Sequence, residues 1–417
     1  MAPLSCEESI DERSMRANMK KEQFLKQTYP LGIVAIVHHT YTWSSVVEED
    51  LLRYVSDKAV KVFYVTHPFK GARDKVPRFS TVKIYRQRKY CLNKKGWSVF
   101  GPEIFYYLRD MIFTLYYFFL RTEKIDTYVG VDNLNAFSGL ILKFCGRVKR
   151  VIYYSIDYYP VRFKNPLLNQ AYFFLDSFCV EHADETWNLA SAMKTARMQK
   201  QGKKESMPTR QYTVPVCVWT KRFPFRPLNE IDDKKIVFSG LLSAHMGVDL
   251  LIRAMPLILK KIPDTKMIII GGGEDQQILR EMINEAQLQG KISMIPWMKE
   301  RAEFLEYLSG CAVGLAPFNT RILDDKVKNA DPGKIKDYML AGLPVIVTKA
   351  LSYHSDVEAK RAGIIIEYDE RSFADAVISL LSDKRRLQEY RKNARQFVEK
   401  YDCEKIYSQQ FSRLKLL

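Results

Sequence analysis

A lysine and an aspartate lie one helical turn apart in the C-terminal part of the chain. They are Lys334 and Asp337, in a segment that continues through Gly342 to the apolar run 345–347. Pro332 suits the first turn of a helix, and Gly342 suits the position just after its end. The segment therefore predicts a short helix followed by a buried strand. Because unpaired N–H groups gather at a helix start, Lys334 and Asp337 are candidate ligands of an anionic molecule.

Two glycine-containing turns precede this helix, and each follows an apolar run. The first contains Gly240 and Gly247, and the second contains Gly272. Backbone N–H groups in such turns can cradle a phosphate. Trp297 follows a further apolar run, where its flat side chain could hold a nucleobase or could simply belong to the core. These residues predict a nucleotide site in an α/β unit that begins at residue 235.

The order of glycine turns, helix, Gly-x-Pro and strand resembles the nucleotide-sugar signature of retaining glycosyltransferases with the GT-B fold, the group 1 or family 4-like enzymes. In that family two acidic residues eight positions apart contact the donor. Here Asn329 stands at the first position and Asp337 at the second, with Asp331 close to the first. The resemblance implies that Asp331, Lys334 and Asp337 bind the donor, and that Asp337 accepts ribose hydroxyls.

The family usually places two cations on the donor diphosphate from its first glycine turn. Leu241 and Met246 stand at those places in this chain. Charge neutralisation must then come from another residue, and Lys334 is the best candidate. We therefore assign Lys334 a catalytic role as well as a binding role, because the diphosphate gains charge as the glycosidic bond breaks.

Polar side chains follow the first apolar run of the chain, residues 31–37. They are His38, His39 and Trp43. The carboxyl ends of parallel strands are where open α/β sheets bind ligands, so these three are predicted on the acceptor side. The two histidines could equally be a hydrogen-bonded pair at the edge of the sheet.

Two aspartates, Asp132 and Asp157, follow later predicted strands of the N-terminal half. In the related enzymes a His-Asp pair ends the second of these strands, and Ile156 replaces that histidine here. The resemblance implies that Asp132 and Asp157 are catalytic residues. Asp157 could instead cap a loop.

The alternation of apolar runs and helical segments predicts an α/β fold. The resemblance implies two Rossmann-like domains that face a central cleft, and a C-terminal helix that crosses back to the first domain. A chain of 417 residues is comfortable for two cores. The predicted divisions are a polar tail at 1–29, an acceptor-side domain at 30–217, a linker at 218–234, a donor-binding domain at 235–385 and a crossover helix at 386–417.

The charge composition of the chain indicates which classes of molecule it binds. The formal charge is +17, and the segment 70–95 holds ten basic residues against one acidic residue. With the aromatic-rich segment 104–120 beside it, this patch predicts peripheral binding to an anionic membrane, although 104–120 could be a buried helix. The patch lacks the motifs of a nucleic-acid binder. Seven scattered cysteines predict reduced thiols in a cytoplasmic protein. The basic patch predicts that this protein binds at the inner face of the plasma membrane.

The resemblance implies a glycosyltransferase that uses a nucleotide sugar such as a UDP- or GDP-sugar and a glycan or lipid-linked acceptor, in surface polysaccharide or glycolipid synthesis. It further implies a retaining mechanism without a metal or a cofactor. Three alternatives stay open: an inverting transferase with Asp132, Asp157 or His38 as base, a sugar-nucleotide epimerase, and a nucleic-acid binder without enzymatic activity.

Overall fold

A computed structural model describes most of the chain. The described residues are 29–40, 46–69, 79–87, 89–96, 103–158, 161–163, 165–201, 210–298, 300–323, 331–350 and 353–414. Trp43 and Asn329, which the sequence analysis singled out, lie outside these ranges. The described strands form two sheets flanked by helices, which confirms the predicted α/β fold with two Rossmann-like domains.

The first sheet joins eight of the described strands in the order β4-β3-β2-β1-β5-β6-β7-β8. Its central strands pair in parallel, and the 34–37 stretch of β1 is fully buried because helices cover both faces of such a sheet. The elements of this half, in chain order, are β1 (Ile33–Thr40), α1 (Val46–Ser56), β2 (Lys61–Pro68), β3 (Thr81–Arg86), β4 (Lys89–Lys95), α2 (Glu103–Leu120), β5 (Ile125–Val131), α3 (Asn133–Phe144), β6 (Val148–Ser155), α4 (Pro166–His182), β7 (Glu185–Asn188), α5 (Ser191–Gln201) and β8 (Gln211–Thr213).

The described part of the basic segment forms the antiparallel hairpin β3–β4 at one edge of this sheet. Charged side chains on an edge strand discourage pairing with other chains, which is a structural reason for part of the positive charge. The last strand of this sheet, β8, lies at Gln211–Thr213, shortly before the predicted linker.

The second sheet joins six parallel strands in the order β11-β10-β9-β12-β13-β14. Gly342 has a φ of 78° just after the helix that carries Lys334, as the sequence predicted. Pro332 occupies the N-cap rather than the first turn. The elements are β9 (Lys235–Leu241), α6 (Val248–Lys261), β10 (Lys266–Gly272), α7 (Gln276–Glu285), β11 (Ile292–Ile295), α8 (Arg301–Ser309), β12 (Val313–Ala316), α9 (Gly333–Leu340), β13 (Val345–Thr348), α10 (His354–Ala359), β14 (Gly363–Ile366), α11 (Glu370–Leu381), α12 (Lys384–Val398) and α13 (Cys403–Arg413).

The C-terminal segment returns to the first domain as expected, but as two helices. We predicted one crossover helix at 386–417, whereas α12 ends at Val398 and α13 begins at Cys403. The carboxylate of Asp402 caps α13 by accepting hydrogen bonds from two backbone N–H groups, which fixes the break. Phe411 of α13 then stacks on Tyr54 of α1.

A disulfide joins Cys217 to Cys403, which lie 186 residues apart in sequence. The expectation that all cysteines are reduced is therefore wrong for this pair. Sequence spacing could not reveal the bond, because only the return of α13 to the first domain brings the two sulfurs together. The bond ties the end of the first domain to the crossover segment.

Candidate functional site

The carboxyl ends of β9 and β10 form two adjoining glycine turns. Gly240 and Gly271 pair in register and have φ angles of 153° and 155°. A Cβ on Gly271 would lie 2.0 Å from the carbonyl oxygen of Gly240, and one on Gly273 would lie 2.2 Å from that of Leu242. Gly272, the residue chosen from sequence, has no such close contact. The turns therefore require glycine at the flanking positions, so that two backbones can lie in contact.

The ammonium group of Lys334 lies directly against the first turn. A Cβ on Gly240 would be 2.4 Å from Nζ, and Nζ is 3.6 Å from Sδ of Met246. The rings of Phe238 and Phe318 have centroids 4.5 and 5.4 Å from Nζ. Burial alone lowers the pKa of Lys334 to about 7. An anion at the turn would favour the charged form of this lysine.

Gly247 and Trp297 border the same sheet edge. Gly247 is left-handed, with a φ of 67°, and a Cβ there would lie 1.9 Å from the carbonyl oxygen of Pro317. It lets the start of α6 lie against the loop after β12. Trp297 follows β11 and is 44% exposed, with its indole nitrogen facing the Gly272 turn. Trp297 is thus a surface aromatic beside the turns rather than a core residue.

Asp337 of α9 is buried and paired with a cation that the sequence analysis missed. Its Oδ1 accepts a hydrogen bond of 2.6 Å from Nη2 of Arg301, at the start of α8. Burial raises the pKa of Asp337, and Arg301 acts in the opposite direction. A carboxylate has a second oxygen with acceptor sites of its own, so the pairing leaves the predicted ribose contact feasible.

Asp331 has a different environment from the one we expected. Its Oδ2 accepts a hydrogen bond of 2.8 Å from the backbone N–H of Val216 and a second one from Nζ of Lys336. Lys336 also donates to the carbonyl oxygen of Val216 at 2.7 Å. All three residues are buried. This carboxylate oxygen holds α9 against the end of the first domain, and the contact of Asp331 with the donor stays a prediction.

Asp50 of α1 belongs to the first domain and lies close enough to Arg301 and Asp337 of the second domain to interact with their charges. Its Oδ1 accepts a hydrogen bond of 2.7 Å from the indole N–H of Trp219. Burial raises the pKa of Asp50 to about 6, and Arg301 counteracts this shift. Asp50 also lies close to Cys217 and Cys403, but their sulfurs are bonded to each other and offer no thiolate to a metal.

The two histidines at the end of β1, His38 and His39, differ in their hydrogen-bond partners. Nε2 of His38 is 2.9 Å from Oγ1 of Thr66, and burial lowers the pKa of His38 to about 3. Nδ1 of His39 accepts from the amide nitrogen of Asn135 at 2.9 Å, so its Nε2 carries the proton and donates to Asp110 at 3.3 Å. His38 fits the hydrogen-bonded edge pair, whereas His39 faces the cavity described below.

Asp110 is the centre of a buried polar network. It accepts hydrogen bonds from Nε of Arg109 at 2.7 Å and from Oγ of Ser80 at 3.2 Å, and lies 3.3 Å from Nδ1 of His67. Although burial acts to raise it, the pKa of Asp110 lies below its ordinary value because His67 and His39 favour the carboxylate. Sequence reasoning missed this role. The signal was a charged pair, 109–110, inside an otherwise apolar helix.

Asp132 lies at the N-cap of α3 with a φ of 72°, a left-handed conformation that is uncommon for a residue with a side chain. Such strain is frequent at functional sites. Burial raises the pKa of Asp132, Arg162 and His39 lower it, and Asp157 raises it. Asp132 and His39 line one cavity of about 290 Å³ between α2, α3 and α4. The structure therefore brings Asp132 and His39 together at this cavity, whereas Asp157 and His38 are not among its lining residues.

Part of the chain matches a known family. Residues 220–397 match the model of the glycosyl transferases group 1. An uncharacterized glycosyltransferase of Methanocaldococcus jannaschii is 25% identical over 189 residues, which cover 40% of this chain and 46% of that protein. This chain thus spans about half the length of the curated relatives it matches.

Solved structures extend the match of the glycosyltransferase domain to the fold of the whole chain. Anabaena Alr3699/HepE, crystallised with UDP and glucose, aligns with a TM-score of 0.64 at 15% identity, covering 93% of this chain and 100% of its own. Sucrose-phosphate synthase from Thermosynechococcus elongatus aligns with a TM-score of 0.65 at 14% identity, covering 92% and 98%. The chain has the GT-B fold, and the resemblance to group 1 glycosyltransferases that was stated from sequence is confirmed for residues 220–397.

Proposed function

We propose that this protein is a glycosyltransferase that moves a sugar from a nucleotide-sugar donor to a glycan or lipid-linked acceptor. The observation that carries the proposal is the ammonium of Lys334 against the Gly240 turn. It occupies the place where Leu241 and Met246 leave the turn without the family's usual cations. The group 1 domain and the UDP and glucose bound by Alr3699/HepE support the same reading.

The transfer step follows from this placement. The acceptor oxygen bonds to the anomeric carbon while the bond from that carbon to the diphosphate oxygen breaks, and the electron pair leaves with the diphosphate. Lys334 and the backbone N–H groups at the start of α9 stabilise the growing charge, which is the role a metal has in other transferases. In the retaining mechanism that we favour, the acceptor proton passes to a donor phosphate oxygen, and Asp337 holds the ribose.

An inverting mechanism is the second candidate, and one observation favours it. The carboxyl group of Asp132 has a raised pKa and lines the acceptor-side cavity, as a general base would. Proton NMR of the product from an α-linked donor separates the two. Retention gives an α-linked product. A β-linked product, with activity lost in Asp132→Asn or Asp157→Asn, overturns retention and leaves the fold unaffected.

A panel of nucleotide sugars tests the proposal itself. We expect at least one UDP- or GDP-sugar to raise the melting temperature of the protein, and mass spectrometry to show sugar transfer to an added acceptor. A single-substrate rearrangement of the bound sugar without transfer would favour an epimerase. Salt-dependent retention on DNA with no response to the panel would overturn the enzyme assignment.

We further propose that the enzyme binds peripherally to an anionic membrane at the inner face of the plasma membrane, in surface polysaccharide or glycolipid synthesis. Among the described helices none is both long and apolar enough to cross a bilayer. Exposed apolar residues of α2, including Phe105 and Ile112, lie on the same domain as the basic edge hairpin β3–β4. Such a combination of apolar and basic groups suits the interface of an anionic bilayer.

A further inference from the structure

The cavity of the first domain is lined almost entirely by apolar and aromatic side chains. Its volume of about 290 Å³ is near the small end of pockets that bury a small ligand. The three helices α2, α3 and α4 each contribute a wall. Representative wall residues are Leu108, Met111, Leu134, Phe137, Leu168 and Leu175.

The cavity opens to the surface through an apolar rim. Ile104 and Leu108 of α2 line the cavity and are 42% and 43% exposed. On α4, Leu167 is 72% exposed and directly precedes the wall residue Leu168. Exposed apolar side chains grouped around an apolar opening mark a binding surface more often than a free one. An apolar chain can thus enter from the surface without crossing a polar barrier.

Three polar side chains complete the lining and carry charge of both signs. They are His39, Asp132 and Arg162. The guanidinium carbon of Arg162 is 5.5 Å from the centroid of the Tyr172 ring, and its charge lowers the pKa of Asp132. A guanidinium is suited to phosphate, and Asp132 and His39 are suited to a hydroxyl. The cavity therefore joins an apolar wall to a head-group site.

We propose that the acceptor is an amphiphile with one hydrocarbon chain, which occupies this cavity, and a phosphate-bearing head group, which faces Arg162 and Asp132. The inference rests on the proposed transferase and names its acceptor class. Charge complementarity selects this occupant, because the wall offers no partner for a free glycan and Arg162 offers one for phosphate. A bilayer surface alone does not fit a cavity walled by three helices.

A series of alkyl phosphates tests the chain site, with titration calorimetry of ethyl, hexyl, octyl and decyl phosphate below their micelle concentrations. We expect the Kd to fall about fourfold for each added methylene until the cavity is filled, from the ~0.8 kcal/mol that burial of one methylene contributes. Arg162→Gln should weaken all members by about tenfold, because it removes a charged hydrogen bond to the head.

Two tryptophan variants of α4 provide the matched comparison. Ala171→Trp places an indole in the cavity lining and should abolish the dependence on chain length, whereas Gln170→Trp, next to it but outside the lining, should keep it. UDP binding is measured in every variant and shows that each is folded. Kd values independent of chain length, or a dependence that survives in Ala171→Trp, overturn the chain site while UDP binding upholds the transferase. Failure of the wild type to bind any UDP- or GDP-sugar of the panel overturns the proposed function instead.

Discussion

The carboxyl edges of the two sheets are built on opposite principles. At the second sheet, glycine turns bring bare backbone to the surface, and Lys334 stands against them with its charge weakened by burial. At the first sheet, the strand ends are filled by a buried hydrogen-bonded network around Asp110, beside an apolar cavity. One edge thus offers backbone N–H groups and a cation, which suit the proposed donor diphosphate, whereas the other offers a mostly apolar cavity, which suits the proposed acceptor.

The largest expected effect concerns the disulfide that joins the end of the first domain to the crossover segment. Replacing both disulfide cysteines, Cys217→Ser with Cys403→Ser, frees a loop of 186 residues. Loop-closure entropy gives a loss of about 5 kcal/mol in the free energy of unfolding, as an upper bound. Guanidinium unfolding under oxidising conditions measures it. A double variant in which the exposed Cys91 and Cys145 are changed to serine is the control. Equal free energies of unfolding in the two double variants would contradict a stabilising role of the disulfide.

The next effect concerns the edge of the second sheet, where we propose that the donor binds. Asp337→Ala should lower kcat/KM by about 30- to 1000-fold, because losing a carboxylate contact to the ribose costs about 2–4 kcal/mol of transition-state stabilisation. Steady-state kinetics with the donor found in the panel checks this, with circular dichroism to show folding. Asp375→Ala, an exposed change on α11, should be neutral. Activity of Asp337→Ala within a few-fold of wild type would remove Asp337 from the site.

The pH dependence of UDP binding tests the weakened charge of Lys334. In the free protein its pKa is about 7, and the diphosphate raises that pKa in the complex. Above pH 7 binding therefore takes up a proton, and affinity falls by up to tenfold per pH unit until the pKa of the complex is reached.

Calorimetry between pH 7 and 9 gives the slope of this dependence. Lys334→Met should bind UDP more weakly at pH 7 and lose the slope, whereas Lys266→Met, at the opposite end of β10, should keep it. An unchanged slope in Lys334→Met would assign the titration to another group.

The smallest effect concerns the binding of each domain's basic surface residues to an anionic membrane. Lys89→Gln or Lys95→Gln in the edge hairpin should each weaken binding to anionic vesicles by about 1 kcal/mol, and added salt should shrink the difference. Lys266→Gln on the second domain is the control. Co-sedimentation with vesicles measures the partition. Wild-type protein that partitions equally onto neutral and anionic vesicles would contradict the electrostatic contribution.

Local sequence predicted much of the donor edge. The helix with Lys334 and Asp337, the Gly342 stop and the two glycine turns are fixed by residues near one another in the chain, so their conformations follow from local rules. Arg301 was missed because its pairing with Asp337 joins two different helices. The hydrogen bond of Asp331 to Val216 was missed for a related reason, since Val216 belongs to the other domain.

The acceptor edge was far less predictable. His38 and His39 are neighbours with similar burial, yet only His39 faces the cavity, because the strand sends successive side chains to opposite faces of the sheet. The buried polar network around Asp110 contains side chains from separate elements, such as His39 and Ser80. Their spacing in the sequence does not indicate that they meet.

The sequence by itself determined the α/β alternation, the group 1 signature and the excess of positive charge, because periodicity, turn residues and composition are local properties. Tertiary structure alone decided the disulfide, the ion pairs of Asp337 and Asp331, and the cavity between α2, α3 and α4. Each of these depends on contacts between residues distant in the chain. Such contacts are chosen by the packing of whole helices and sheets, which no single segment specifies.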